Sequence, residues 1–113
     1  MQPEENDAAY LWDMLEAAKE ITQFVKGKTF EEYFKDLVLQ AAVERKIEII
    51  GEAARRVSET FREANPQISW RPIVAQRHVL AHEYGDIKQE NMWRVATLRI
   101  PELIAALEPL IPK

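Results

Sequence analysis

Both histidines of the chain lie in one short segment, residues 76–85, together with an arginine and a tyrosine. An imidazole can move a proton near neutral pH, and a guanidinium can hold a phosphate through two parallel hydrogen bonds. Arg77 and His82 could therefore carry out acid–base cleavage of a phosphodiester such as RNA, with the histidine moving the proton and the arginine binding the developing charge, which is one of three alternatives for these residues.

The same segment contains a spacing that is found in metal sites. His78 and His82 are four residues apart, as in the helix of zinc peptidases. Val79 stands where such a helix has its general-base glutamate, and the chain has neither a third histidine nor a cysteine. The pattern therefore predicts no metal site, and no cofactor is expected.

A purely structural role for Arg77 is a further alternative. At about 100° per residue, Arg77 and Tyr84 project from the middle of an apolar arc on their helix, formed by Ile73, Val74, Leu80 and Ala81. An arginine on an apolar face needs a carboxylate, a phosphate or another subunit as partner. Glu44 or Glu52 could supply that carboxylate within the chain.

Several helices must position this segment. The chain has only three glycines, and long helix-forming stretches lie between a few turn signals, which indicates an all-α fold. Apolar residues recur every three or four positions over about residues 7–25 and about 37–64, so each range is predicted to form one helix. Thr29, followed three residues later by Glu32, is typical of a capping box that opens a short helix between them.

A further helix carries the histidine segment itself. Ser69 is its predicted N-cap, Pro72 falls in its first turn, and Gly85 is its predicted C-terminal stop. Residues 88–111 are apolar enough for a last helical region, in which Pro101 predicts a kink or a fresh start. The expected architecture is one domain that takes in all 113 residues as a bundle of four to five helices.

Composition limits where the protein works and what it binds. With 15 basic and 19 acidic side chains the formal charge is -4, so a nucleic acid must meet a local basic patch. Arg55 and Arg56, and His78 beside the arginine of the motif, are candidate substrate-binding residues. The absence of cysteine, the acidic N-terminus and the lack of a long apolar run predict a cytoplasmic protein.

The spacing of Arg77, His82 and Tyr84 matches the R-x4-H-x-Y motif of HepT proteins, a branch of the HEPN superfamily. The surroundings of the motif resemble this family as well, in residues 15–17, 29–32, 49–54 and 68–71. The resemblance covers nearly the whole chain. It implies a HEPN-type helical bundle and the activity of a ribonuclease.

The resemblance also implies a homodimer in which the motif helices of two copies approach each other. RNA would be cut in a composite cleft that holds Arg77 and His82 from both copies. Cleavage of RNA without a metal needs one group to deprotonate the 2'-hydroxyl and another to protonate the leaving 5'-oxygen. A dimer supplies both groups from His82.

A toxin–antitoxin pair is the biological setting that the resemblance implies. In this family the antitoxin is a minimal nucleotidyltransferase, MntA, which silences the toxin by transferring AMP to the motif tyrosine, here Tyr84. The two proteins can form a larger hetero-oligomer. The added phosphate would obstruct the cleft and occupy its arginines.

A non-catalytic HEPN module is the alternative to the enzyme. In that class the same dimer binds a partner nucleotidyltransferase or positions its substrate, and Arg77 is structural. The two classes differ in exposure, because catalysis requires Arg77 and His82 to open onto a shared concave cleft.

Overall fold

The computed structural model describes residues 4–81 and 85–112, with side chains at all of these positions except 76–81 and 85–87. Its α-helices are Glu5–Val25 (α1), Phe30–Lys35 (α2), Leu37–Arg56 (α3), Glu59–Ala64 (α4), Trp70–Ala81 (α5), Gly85–Arg94 (α6) and Ile100–Leu107 (α7). A π-helical turn, Val95–Arg99, joins α6 to α7, and a short 3-10 turn, Glu108–Leu110, follows α7. The described residues form no strand, so the predicted all-α class is confirmed. None of the described helices is both long and apolar enough to cross a lipid bilayer.

The core lies where α1 packs along α3 and against α7. The apolar side of α1 is the one that its sequence predicts, and it buries Leu11, Met14, Leu15, Ala18, Ile21 and Val25. The facing stripe of α3 buries Val43, Ile47, Ile50 and Ala54. Each large aliphatic side chain buried in this way contributes roughly 1.5–3 kcal/mol.

The turn between α1 and α2 follows its local sequence. Gly27 has a φ of +73°, a conformation that disfavours side chains with a Cβ, and α1 ends just before it. The predicted capping box is present: the Thr29 hydroxyl accepts from the Glu32 amide at 3.2 Å, and Glu32 Oε1 accepts from the Thr29 amide at 2.9 Å. Hydrogen bonding to the carboxylate by the Thr29 amide, and then by the Thr29 side chain, holds the pKa of Glu32 below its usual range.

The prediction of one continuous helix over residues 37–64 is wrong. The chain leaves the helix after Arg56, and α4 starts anew with Ser58 as its N-cap, whose hydroxyl accepts from the Phe61 amide at 3.2 Å. A residue of α1, 51 positions earlier in the sequence, stabilises the break. Both carboxylate oxygens of the buried Asp7 accept hydrogen bonds, from the Ser58 amide at 2.8 Å and from its hydroxyl at 2.6 Å.

Replacing Asp7 with alanine should lower the free energy of unfolding by about 1–3 kcal/mol, because two Ser58 donors lose their acceptor in a partly buried place. Urea denaturation followed by circular dichroism measures the change. Asp13→Ala is the control, since Asp13 lies exposed on the same helix. Equal losses in the two variants would contradict the role given to Asp7.

A wide turn takes the chain past Pro101. The Ile100 amide donates to the carbonyl of Val95, five residues earlier, instead of to the residue four earlier. Pro101 has no amide hydrogen, and its ring would clash with the carbonyl of Thr97 in a regular α-helix. The kink or fresh start predicted at Pro101 takes the form of this π-helical turn. Arg94, Arg99 and Ile100 keep α-helical backbone angles and no described side chain caps α7, so α7 continues from the turn and does not start afresh.

The prediction for Gly85 is wrong. Gly85 is the first residue of α6, not the stop of the helix that carries the histidines. A glycine indicates a helix end only where it takes the left-handed conformation after the last turn, and glycine is also accepted at the start of helices.

Candidate functional site

The start of α5 is fixed by Trp70. Its indole Nε1 donates to the carbonyl of Asn65 at 3.0 Å, and its buried ring packs edge-on against Phe61 with 6.5 Å between the ring centroids. The helix begins directly after Ser69, whose carbonyl accepts from the Ile73 amide, and Pro72 falls in the first turn, as predicted. This anchor orients the helix that continues into the histidine segment.

Four predicted site residues lie in the histidine segment, and two of them, Arg77 and His78, are part of α5, in its second half. Their side chains lie outside the described ones, and His82 and Tyr84 lie outside the described residues altogether. The assignment of these four residues to a cleft therefore stays a prediction.

α5 approaches α3 closely at Gly51. A Cβ at this position would lie 3.3 Å from the carbonyl oxygen of Ile73 and 3.9 Å from that of Val74. Because Arg77 follows Ile73 by four residues, about one helical turn, the separation of α3 and α5 helps to determine where the motif lies.

Replacing Gly51 with alanine should lower the free energy of unfolding by about 1 kcal/mol. The better helix propensity of alanine gains up to about 1 kcal/mol, but the added methyl group crowds a backbone oxygen, and overpacking costs about 1–3 kcal/mol. Thermal and urea unfolding measure the balance. Arg45→Ala on the exposed side of α3 is the control, and a Gly51→Ala protein more stable than wild type would contradict the crowding.

α6 is held against α3 and α2 by an ion pair and by aromatic contacts. Lys88 Nζ lies 2.8 Å from Glu44 Oε1, with both side chains about two-thirds buried. Further along α6, Trp93 packs against the fully buried Tyr33 with 5.3 Å between the ring centroids. Burial, and then the charge of Glu44, raises the pKa of Tyr33, whose hydroxyl has no hydrogen-bond partner among the residues that the structure describes.

Arg55 and Arg56 lie at the exposed end of α3 and share one carboxylate. Arg55 donates to Glu52 Oε1 at 2.7 Å and Arg56 to the same oxygen at 3.2 Å. These two hydrogen bonds hold the pKa of Glu52 below its usual range. Both arginines are more than half exposed, and two guanidinium groups on one carboxylate leave a net positive charge at this end of the helix.

The two acids considered as partners for Arg77 both have partners of their own. Glu44 binds Lys88, and Glu52 accepts from the arginines at the end of α3. The contacts of Arg77 itself lie outside the described side chains, so its structural role is neither supported nor contradicted by these pairs.

A pocket of about 400 Å³ lies where α3, the start of α5 and α7 meet. We call it the α3–α5–α7 pocket. Its wall is mainly aliphatic and is formed by Ile47, Ile50, Ile68, Ile73, Ile100 and Leu103. Exposed polar side chains stand around it, namely Gln67, Ser69, Arg99 and Glu102. Sequence reasoning missed this pocket, because aliphatic residues at helical spacing look the same whether they fill a core or line a cavity.

Comparison with protein families gives one match that spans most of the chain. The model of the Ribonuclease HepT-like family matches residues 14–110. This range includes every residue of the predicted motif, the second half of α1 and the whole of α2 to α7.

Several curated proteins of similar length, all named as ribonucleases, are also similar to this chain. A candidate RNase of Methanocaldococcus jannaschii is 36% identical over 109 residues, which cover 96% of this chain and 90% of the relative. The probable ribonuclease HepT of Thermococcus cleftensis is 35% identical over 101 residues, 89% of this chain and 92% of the relative. A candidate RNase of Caldanaerobacter subterraneus is 35% identical over 104 residues, 92% and 93% of the two chains. No solved structure gives a significant match.

Proposed function

Because the chain belongs to the HepT-like ribonuclease family, we propose that it is the toxin of a HepT/MntA-type toxin–antitoxin pair and acts as a metal-independent endoribonuclease. The observation that carries the proposal is the spacing of Arg77, His82 and Tyr84 inside the part of the chain that the family model matches. The fold supports it by holding the motif helix α5 firmly on α3.

The proposed reaction is an internal transesterification of RNA. One His82 imidazole takes the proton of the 2'-hydroxyl, and the 2'-oxygen attacks the adjacent phosphorus. The bond from phosphorus to the 5'-oxygen breaks, and a second, protonated His82 gives its proton to that oxygen. Arg77 holds the phosphate and its developing charge through a bidentate contact. The products carry a 2',3'-cyclic phosphate and a 5'-hydroxyl.

Two copies of the chain are required for this reaction, because each chain supplies one His82. The proposed assembly is a homodimer with the motif helices near its two-fold axis. We expect light scattering at micromolar concentration to give the mass of two chains. A stable monomer that still cuts RNA would contradict the composite site.

Regulation is proposed to act on Tyr84, which receives AMP from an MntA-like nucleotidyltransferase. His78, Arg55 and Arg56 are proposed to contact the RNA outside the reacting phosphate. The exposure of Arg55 and Arg56 supports this role, although each also binds Glu52. An RNA phosphate would have to compete with that carboxylate, so their contribution to affinity should fall with salt.

A further inference from the structure

We propose that the α3–α5–α7 pocket binds one unstacked base of the RNA, next to the scissile phosphate. The inference rests on the proposed ribonuclease function and adds a subsite to it. The pocket is built entirely from described side chains, so it does not depend on the placement of the motif residues themselves.

The size and wall of the pocket suit a single flat group. A volume of about 400 Å³ lies within the range of small-molecule sites, roughly 300–1,000 Å³. Pro72 and Ile73 offer accessible aliphatic surface to a base, with buried side chains such as Ile47 behind them. Proteins that read RNA by sequence commonly bind bases that are splayed out of a single strand. A pocket of this size accommodates one such group more readily than the long apolar face of a partner helix.

The polar side chains around the pocket match the edge of a base. Gln67 offers an amide that both donates and accepts, Ser69 offers a hydroxyl, and Glu102 offers a carboxylate that accepts from an exocyclic amino group. A site lined by carbon alone would hold any apolar group. Donors and acceptors at the entrance instead allow discrimination among bases.

Positive charge stands where the sugar–phosphate backbone would pass. Arg99 lines the pocket with two-thirds of its side chain exposed, and it forms an ion pair at 3.6 Å with the equally exposed Glu102, which also lines the pocket. Arg71 is exposed on α5 directly before Pro72, a lining residue. Because the chain as a whole is acidic, local cations of this kind are what an RNA requires.

The register of α5 connects the pocket to the motif. Ile73 lines the pocket, and Arg77 follows it by four residues, about 6 Å along the helix axis. A base in the pocket would therefore belong to a nucleotide close to the phosphate that is cut. The pocket would influence which bond is cleaved as well as how tightly RNA binds.

The test is to fill the pocket and to measure binding apart from cleavage. Ala106 lines the pocket on α7, and its neighbour Ala105 is exposed outside it, so Ala106→Phe and Ala105→Phe make a matched pair. The probe is a fluorescent 2'-O-methylated oligoribonucleotide of mixed sequence, which lacks the attacking hydroxyl. Ala106→Phe should weaken binding about tenfold, the equivalent of roughly 60 Å² of lost apolar burial, and Ala105→Phe should not.

A second pair removes charge without touching the core. Arg99→Gln should weaken binding of the same probe and change the preferred cleavage sites in unmodified RNA, whereas Arg94→Gln, on exposed α6 surface outside the lining, should do neither. If circular dichroism shows that Ala106→Phe does not fold, the comparison of Arg99→Gln with Arg94→Gln provides the test instead.

Three results would overturn the inference. Folded Ala106→Phe with wild-type affinity and wild-type cut sites would show that no base enters the pocket, and the ribonuclease function would stand. Loss of the dimer with unchanged RNA affinity would mean that a second copy covers the pocket. Equal effects of Arg99→Gln and Arg94→Gln on RNA binding would show that the overall charge of the protein matters and the position of Arg99 at the pocket does not. A wild-type protein that binds the probe at the pocket but cuts no RNA would contradict only the proposed function.

Discussion

Replacing His82 with alanine should lower the rate of RNA cleavage about 100-fold or more while the helical fold stays intact. The reason is that the proposed reaction moves a proton at each end of the scissile bond and both transfers use His82. Arg77→Ala should cause a comparable loss, since no other group is proposed to hold the charge of the phosphate. Single-turnover cleavage of labelled RNA in the presence of a chelator measures the rate, and far-ultraviolet circular dichroism reports the fold.

His78→Ala is the matched control, because it removes the other imidazole of the chain from the same helical segment. A substrate-binding role for His78 predicts weaker RNA binding but a nearly normal rate once RNA is bound. Activity that disappears with chelator and returns with a divalent metal would refute the metal-independent mechanism, even if His82 proved essential.

Changing Tyr84 to phenylalanine should preserve most of the ribonuclease activity and make the toxin resistant to its antitoxin. The hydroxyl is neither the proposed base nor the proposed acid, so its loss spares the reaction. It is the proposed acceptor of AMP, and without it the nucleotidyltransferase has no group to modify. Growth of cells that co-express the variant with its partner enzyme measures resistance, and we expect growth to stop.

Intact-mass spectrometry of the co-expressed wild-type protein identifies the mechanism of silencing. The expected result is a gain of one or more AMP units that is lost in Tyr84→Phe and kept in Tyr10→Phe, a tyrosine on α1. Full neutralisation of an unmodified protein would mean that the antitoxin acts by binding alone.

Features with local causes could be predicted from the sequence. The Thr29–Glu32 capping box needs only residues three apart, and the irregular turn next to Pro101 follows from the missing amide hydrogen of the proline. The break at Ser58 could not be predicted, because the acceptor that stabilises it, Asp7, is 51 positions away. The spacing of apolar residues continues through the break, and Phe61 is as buried as the residues before it. The apolar pattern therefore gives no sign that the helix ends.

The candidate site likewise has a part that can be predicted from the sequence and a part that depends on the folded chain. Residue type alone suggests a catalytic role for Arg77 and His82 as one of several alternatives, and the resemblance to the HepT motif adds Tyr84; neither step requires the fold. The α3–α5–α7 pocket depends on three elements that meet only in the folded chain. The charge available at Arg55 and Arg56 likewise depends on Glu52, whose position on the same helix could be read from the sequence but whose contacts could not.

The π-helical turn before α7 also lets the chain accommodate one extra residue while α7 keeps its packing against the core. It holds one residue more than an α-helical turn, since Ile100 bonds to Val95 five residues earlier. Met92 before the turn and Leu103 after it are both buried, so the extra residue is absorbed without rotating α7 away from the core. A chain shorter by one residue here could run as a single continuous helix with both side chains still inside. Pro101 would then lie inside a regular α-helix, where its ring clashes with the carbonyl four residues earlier, so the shorter chain would also need another residue in place of Pro101.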